Sequence, residues 1–147
     1  MLESRPWLFV VGNDRARARY ENRARALKLA DRVRFLGPRD DVAELFHAAD
    51  ALALPSLFEP FGNAVLEAMA SGLKVITSAA AGVSEILPDQ LRPFTIQNPC
   101  DAREIARRLD ALIEAPAALG AAARAAAESY SWERYGESLI RIIQKVS

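Results

Sequence analysis

The sequence has few of the residues that usually build disulfides, metal sites and histidine-based catalysis. Among its 147 residues there is one cysteine, Cys100, and one histidine, His47. A single cysteine excludes an intramolecular disulfide and fits a reducing compartment. Because no cluster of Cys and His exists, the sequence disfavours a zinc site and a Ser-His-Asp hydrolase centre. We therefore expect no bound metal.

The chain also lacks an excess of charge of either sign and a long apolar run. Lys plus Arg and Asp plus Glu number 19 each, so no overall field draws the protein to nucleic acid. Arginines are concentrated between Arg15 and Arg34, and we interpret them as the solvated surface of a helix. No segment has the length of a membrane span, and the first residues show no secretion-signal pattern.

What is present is the composition of a globular protein, with 51% hydrophobic and 26% charged residues. Apolar runs alternate with helical patterns, which predicts an α/β fold: a Rossmann-like parallel sheet sandwiched by helices. The length suits a single domain over residues 1–147. We predict strands over residues 7–11, 33–36, 51–54, 74–77 and 92–96, and helices over residues 14–29, 40–49, 62–71, 101–114, 117–130 and 131–147.

Ligands of such sheets bind beyond the carboxyl ends of the strands, so the loops there are the candidates for a site. The loop after the first strand, Gly12-Asn13, lacks the further glycines of a dinucleotide-binding fingerprint. The loop after the third strand offers more. Pro55 and Pro60 restrict its backbone, and Gly62 opens a helix whose first amides have no partner within the helix. These amides and the helix dipole predict an anion site suited to a diphosphate.

Two carboxylates flank this helix start. Glu67 lies in the first half of the helix, where it can accept paired hydrogen bonds from vicinal hydroxyls such as those of a ribose. Glu59 precedes the helix and can reach a second group bound at the same mouth. On physical grounds alone, a second interpretation has equal weight. In it, Glu67 only stabilises the helix N-terminus and Glu59 is a solvated loop residue.

The residues around these carboxylates resemble a known family. Glu59 and Glu67, with Phe61-Gly62 between them, are similar to the E-x7-E signature of the retaining glycosyltransferases of family 4. The similarity extends over roughly residues 7–115 and includes the segments VRFLG at 33–37 and MASGLKVI at 69–76. That family has the GT-B fold, in which two Rossmann-like domains face each other across a cleft. This chain resembles the C-terminal, donor-binding domain.

The resemblance implies a role for each residue of the site. Glu67 would bind the ribose hydroxyls of a nucleotide, and the catalytic residue Glu59 would contact the donor sugar near its anomeric carbon. Arg39 would lie against the base, unless it is simply an exposed turn arginine. The diphosphate would be held by backbone amides, and small residues would line the cleft. The implied donor-binding set is Gly37, Arg39, Phe61, Gly62, Asn63, Ala64 and Glu67, and the small cleft residues are Ala81 and Gly82.

For a full-length protein, the resemblance implies a retaining hexosyltransferase that uses a nucleotide-sugar donor, UDP-hexose, without a metal or other cofactor. Residues 37–42 most resemble the lipopolysaccharide-core glucosyltransferase type. This implies synthesis of lipopolysaccharide or another cell-envelope glycan on a glycan or glycolipid acceptor. Such an enzyme would act in the cytoplasm, at the inner face of the cytoplasmic membrane, by peripheral association and without a nucleic-acid partner.

Two features of the family are missing from the sequence. The family's acceptor-binding N-terminal domain has no counterpart among these residues, so we expect the isolated chain to be inactive and the helix over residues 131–147 to cross to that domain. The family's basic Arg and Lys pair, which would offset the charge of the leaving diphosphate, has no clear counterpart. Two other interpretations stay open: a nucleotide-binding module without catalysis, and a flavodoxin-like receiver domain with Asp14 in an acidic phospho-acceptor pocket.

Overall fold

A computed structural model describes the backbone of residues 5–146 and the side chains of residues 5–145. Parts of the predictions that fall on residues 1–4, on Ser147 and on the Val146 side chain lie outside this range. The described residues divide into two compact units, residues 5–42 and 43–146. Each unit contains one pair of parallel strands and at least one helix, so the predicted α/β class is confirmed.

The first unit consists of one parallel strand pair and the helix that connects its strands. β1 (Leu8–Val11) leads to α1 (Arg17–Ala26) and then to β2 (Val33–Gly37). The helix starts later than predicted because the Asp14 carboxylate accepts a hydrogen bond from the amide of Ala16 at 2.7 Å and residues 15–16 form a turn. No residue of α1 is buried, in agreement with a solvated, arginine-rich helix.

The second unit contains the other strand pair and most of the helices. Its strands, β3 (Ala51–Leu54) and β4 (Lys74–Thr77), pair in parallel and in register, with Ala51 opposite Lys74 and Leu54 opposite Thr77. Two short 3₁₀ helices, Gly82–Ile86 and Arg92–Phe94, follow β4. The helix α2 (Val42–Ala48) begins at the last residue of the first unit and continues into the second. The elements that follow it are β3 (Ala51–Leu54), α3 (Asn63–Ala70), β4 (Lys74–Thr77), α4 (Ala102–Glu114), α5 (Ala118–Ala127) and α6 (Trp132–Val146).

The core of the second unit is centred on α3 and β4. Val65 and Met69 of α3 and Val75 and Ile76 of β4 are all at most 1% exposed. Burying a side chain of this size contributes about 1.5–3 kcal/mol, so these two elements carry much of the stability of the unit. The loop that joins β3 to α3 carries Glu59, and it is attached to this core.

The predicted fifth strand over residues 92–96 is wrong. Arg92–Phe94 is a 3₁₀ helix, and only Ile96 pairs with a strand neighbour, in an isolated parallel bridge to Ser78. Pro93 has no amide hydrogen for a strand ladder, and the amide of Leu91 bonds to the Pro88 carbonyl at 2.8 Å. The remaining predicted strands and helices are present, with ends that differ by a few residues.

The C-terminal helix is confirmed over the described residues, and its apolar side chains are exposed. α6 begins at Trp132, where the Ser131 hydroxyl accepts a hydrogen bond from the amide of Arg134 at 3.4 Å. Trp132 is 78% exposed and Tyr135 is 61% exposed. An apolar helix face normally packs against another element. Its predicted crossing to a second domain stays a prediction. Between residues 5 and 146, no helix combines the length and the apolar character that crossing a membrane requires.

A buried carboxylate fixes the start of α4. The carboxylate of Glu104 accepts hydrogen bonds from the amides of Gln97 at 3.0 Å and Asn98 at 2.9 Å, and from Arg108 Nε at 2.6 Å. These bonds, led by the one from Gln97, lower the pKa of Glu104 from 4.5 to about 2. Asp101 caps the helix as predicted, accepting from the amide of Arg103 at 2.9 Å.

We expect Glu104→Gln to lower the melting temperature at pH 7, because the neutral amide loses the charge-assisted bonds. The folded pKa of about 2 lies below the unfolded value of 4.5. The carboxylate therefore stabilises the protein above about pH 4.5, and this contribution is lost as the pH falls towards 2. Thermal unfolding at several pH values should show the difference between wild type and variant narrowing in that window. The control is Glu114→Gln, which changes an exposed glutamate at the end of the same helix. If the difference in melting temperature between wild type and Glu104→Gln did not depend on pH, the prediction would be wrong.

Candidate functional site

The candidate site is built where the chain leaves β3 and enters α3. We call residues 55–61 the site loop. The glycine that follows it, Gly62, is the N-cap of α3 and has left-handed dihedral angles, φ 102° and ψ 57°. A Cβ atom at this position would lie 3.2 Å from Val83 Cγ1 and 3.3 Å from Glu59 Cγ. The left-handed backbone conformation therefore favours glycine at the start of the helix, and the tight contacts with these two side chains add to that preference.

The start of α3 has the properties of the predicted anion site. Gly62 offers no capping side chain, and the first amide bonded within the turn is that of Val65, which donates to the Gly62 carbonyl at 2.9 Å. The amides of Asn63 and Ala64 precede this bond, and both residues are exposed. Unbonded amides at the positive end of a helix attract anions, so this end of α3 suits a phosphate group.

The site loop lies against the segment that follows β4. The Gly82 amide donates to the Glu59 carbonyl at 3.1 Å, and the Val83 amide donates to the Phe61 carbonyl at 2.7 Å. Glu59 and Ala81 form an isolated parallel bridge. The loop that carries Glu59 thus continues the parallel pairing of β3 with β4 beyond the ends of both strands.

Both candidate carboxylates are available to a ligand. Glu59 is half-buried in the site loop next to Gly62, and Glu67 is exposed on α3, four residues after Asn63. In the described part of the chain, neither carboxylate forms an ion pair or a side-chain hydrogen bond. The structure therefore places Glu59, Phe61, Gly62, Asn63, Ala64 and Glu67 in one loop–helix unit.

Two of the predicted site residues belong to the first unit. Gly37 ends β2 with a left-handed φ of 72°, and Arg39 follows it by two residues. Arg39 forms a two-bonded ion pair with Asp41, in which Nε lies 2.7 Å from Oδ1 and Nη2 contacts Oδ2. The hydrogen bond from Arg39 holds the pKa of the Asp41 carboxyl below its ordinary value. The interaction of Arg39 with a base stays a prediction.

The sequence reasoning did not single out two buried hydroxyl groups beside the site. Thr77 Oγ1 donates to the Leu54 carbonyl at 3.1 Å, and Ser78 Oγ donates to the Ser56 carbonyl at 2.5 Å. Both residues are fully buried. Their signal in the sequence is a pair of hydroxyl residues, Thr77 and Ser78, at the end of an apolar strand. A hydroxyl group that is buried there needs a hydrogen-bond partner.

Parallel strands, flanking helices and a helix start open to anions are features of Rossmann-like domains, and solved structures of GT-B glycosyltransferases share the fold of this chain. The crystal structure of WaaG, a glycosyltransferase involved in lipopolysaccharide biosynthesis, is similar with a TM-score of 0.74 and 30% identity, over 93% of this chain and 38% of that chain. Anabaena HepE in complex with UDP and glucose is similar with a TM-score of 0.82 and 26% identity, over 95% of this chain and 40% of that chain.

The sequence matches the family Glycosyl transferases group 1 over residues 2–132, and the chain therefore belongs to this family. The D-inositol 3-phosphate glycosyltransferase of Mycobacterium ulcerans is 36% identical over 121 residues, which are 78% of this chain and 26% of the relative. The lipopolysaccharide glucosyltransferase WaaG of Escherichia coli is 37% identical over 98 residues, which are 67% of this chain and 26% of the relative. The chain thus spans about a quarter of the length of these curated relatives. The predicted family and GT-B fold are confirmed.

Proposed function

We propose that this chain is the donor-binding domain of a retaining hexosyltransferase that uses a UDP-linked hexose. The observation that carries the proposal is the exposed start of α3, which has no side-chain cap and lies between two unpaired carboxylates. Glu59 precedes the helix, and Glu67 lies within the helix, four residues after Asn63. Membership of the glycosyltransferase family supports it, as does the similarity to HepE, which was solved with UDP and glucose.

In this proposal the amides at the start of α3 hold the diphosphate, Glu67 accepts hydrogen bonds from the ribose, and Glu59 faces the hexose. Positive charge develops at the anomeric carbon as its bond to the diphosphate oxygen breaks. The Glu59 carboxylate stabilises that charge, while the helix amides stabilise the negative charge on the leaving group. The acceptor hydroxyl bonds to the anomeric carbon on the face that the diphosphate leaves, and its proton passes to the departing phosphate oxygen. Configuration is thereby retained.

The wider role that we propose follows the relatives. Transfer requires an acceptor-binding domain, so this chain alone binds donor without turnover. The acceptor is a glycan or glycolipid of the cell envelope, as the lipopolysaccharide glucosyltransferase among the relatives indicates. The full-length enzyme would work in the cytoplasm at the inner face of the membrane. The helix amides, rather than a metal ion, would offset the charge of the diphosphate, so EDTA should leave UDP binding unchanged.

We expect Glu67→Ala to weaken the binding of UDP and UDP-glucose equally, by about tenfold to a hundredfold, because it removes charged hydrogen bonds to the ribose. Calorimetric titration with UDP, GDP, ADP and UDP-glucose measures this. The control is Glu137→Ala on α6, which removes an exposed glutamate from a helix outside the loop–helix unit of the site. If the wild-type chain bound none of these nucleotides, the proposed function would be wrong.

A further inference from the structure

The middle of the site loop is not held by its own side chains. Leu57 is 72% exposed and Phe58 is 77% exposed, although both are large and apolar. The segment formed by Leu57 and Phe58 is held at its two ends instead. Glu59 pairs with the segment after β4, and the Ser56 carbonyl accepts the hydrogen bond from Ser78. The conformation of the exposed segment between these points depends on how firmly each end is fixed.

Ser78 is a rigid attachment for the first of these ends. Its backbone forms a parallel bridge with Ile96, a residue that is fully buried. On either side of Ser78, the Ile96 amide donates to the Thr77 carbonyl and the Ala79 amide donates to the Ile96 carbonyl, both at 2.9 Å. Because Ser78 itself is fully buried, its hydroxyl has little freedom to reach a partner other than the Ser56 carbonyl.

We propose that Ser78 is a positioning residue that sets where the Glu59 carboxylate meets the hexose of the donor. Removing the hydroxyl would leave the Ser56 carbonyl without this donor and release the loop three residues before Glu59. A displacement of about 1 Å is enough to weaken an oriented contact with a ligand. The diphosphate and ribose contacts would persist, since they belong to α3. This inference rests on the proposed function and assigns part of its donor selectivity to a residue that does not touch the donor.

Thr77 provides a matched control. It is as fully buried as Ser78, and its hydroxyl makes the same kind of bond to a main-chain carbonyl, that of Leu54. Leu54, however, lies in β3, where strand pairing with Thr77 already holds its backbone. Thr77→Val therefore removes a comparable buried hydroxyl without releasing the site loop. A general effect of losing a buried hydrogen bond would appear in both variants.

The experiment is calorimetric titration of wild type, Ser78→Ala, Ser78→Cys and Thr77→Val with UDP and with UDP-glucose, with thermal unfolding to confirm that each protein is folded. We expect Ser78→Ala to bind UDP-glucose about tenfold more weakly, which corresponds to one lost hydrogen bond, while its affinity for UDP is unchanged. Ser78→Cys keeps a weak donor and should lose less. Thr77→Val should change neither affinity. If the alanine variant does not fold, the affinities of the cysteine variant for UDP and UDP-glucose test the role of Ser78.

The outcomes separate this inference from the proposed function. Wild type that binds no nucleotide overturns both. If wild type binds UDP and UDP-glucose with equal affinity, the loop makes no favourable contact with the sugar, and the role of Ser78 is overturned. The same role is overturned if the Ser78 variants keep wild-type affinity for UDP-glucose, if they lose affinity for UDP to the same extent, or if Thr77→Val shows the same sugar-specific loss.

Discussion

Gly82→Ala is expected to weaken UDP-glucose binding by about tenfold to a hundredfold. It should also destabilise the chain by about 1–3 kcal/mol, which is the usual cost of inserting a methyl group where the packed structure has no room for it. A Cβ at Gly82 would overlap the carbonyl oxygen of Pro60 and lie 3.2 Å from Phe61 Cα. Both are main-chain atoms of the site loop, so no side-chain rotation relieves the overlap. The loop must move away, which breaks the hydrogen bond from the Gly82 amide to the Glu59 carbonyl.

Calorimetric titration and thermal unfolding of the same protein preparation test this prediction. The control is Gly136→Ala in α6, where an added Cβ meets nothing within 4 Å. Alanine there should stabilise the helix by roughly 0.5–1 kcal/mol and leave nucleotide affinity unchanged. Gly82→Ala with wild-type affinity and wild-type stability would show that the site loop does not lie where the structure places it.

Gly120→Ala should give the largest loss of stability, about 1–3 kcal/mol or more from overpacking. Gly120 is a buried residue of α5, and a Cβ there would overlap the carbonyl oxygen of Gly72 and lie 3.2 Å from its carbonyl carbon. That carbonyl cannot swing aside, because the Gly72 amide bonds to Met69 and the next amide, of Leu73, bonds to Ala68, both at 2.9 Å. The better helix propensity of alanine, worth about 1 kcal/mol, opposes the loss without cancelling it.

Urea unfolding measures this effect as a lower midpoint with an unchanged slope. Gly136→Ala again provides the comparison, since the same substitution in a helix with free space should raise the midpoint. Because Gly120 lies outside the site loop, the folded fraction of Gly120→Ala should bind UDP with nearly wild-type affinity. Equal midpoints for Gly120→Ala and Gly136→Ala would contradict the close packing of α5 on the turn after α3.

Much of the fold was predictable because its signals are local. The run at 74–77 is rich in β-branched residues, and the run at 51–54 is a short apolar segment stopped by Pro55; the structure has β3 and β4 over the same residues. Asp101 was identified as a cap from its position before an amphipathic helix. Residues 92–96 were assigned wrongly because a short segment with two alternating apolar residues, Phe94 and Ile96, does not reveal whether a neighbouring strand pairs with it. Pro93 within the run was the signal against a strand.

The principal residues of the candidate site were also predictable from the sequence. Glu59, Gly62 and Glu67 lie within nine residues of one another, and the properties of a helix start follow from those residues alone. Arg39 shows the limit of this reasoning. The sequence places it after β2, but its ion pair with Asp41 depends on the conformation of the turn between them.

The sequence by itself therefore determined the family, the α/β class and the loop–helix unit from Glu59 to Glu67. Only the tertiary structure decided what holds that unit in place: the Ser78 hydroxyl against the Ser56 carbonyl, and Gly82 against Pro60. Each of these contacts joins segments 22 residues apart in the chain. Hydrogen-bond partners and free space at that separation depend on how β3 and β4 pair, whereas helix starts and caps depend on residues next to each other.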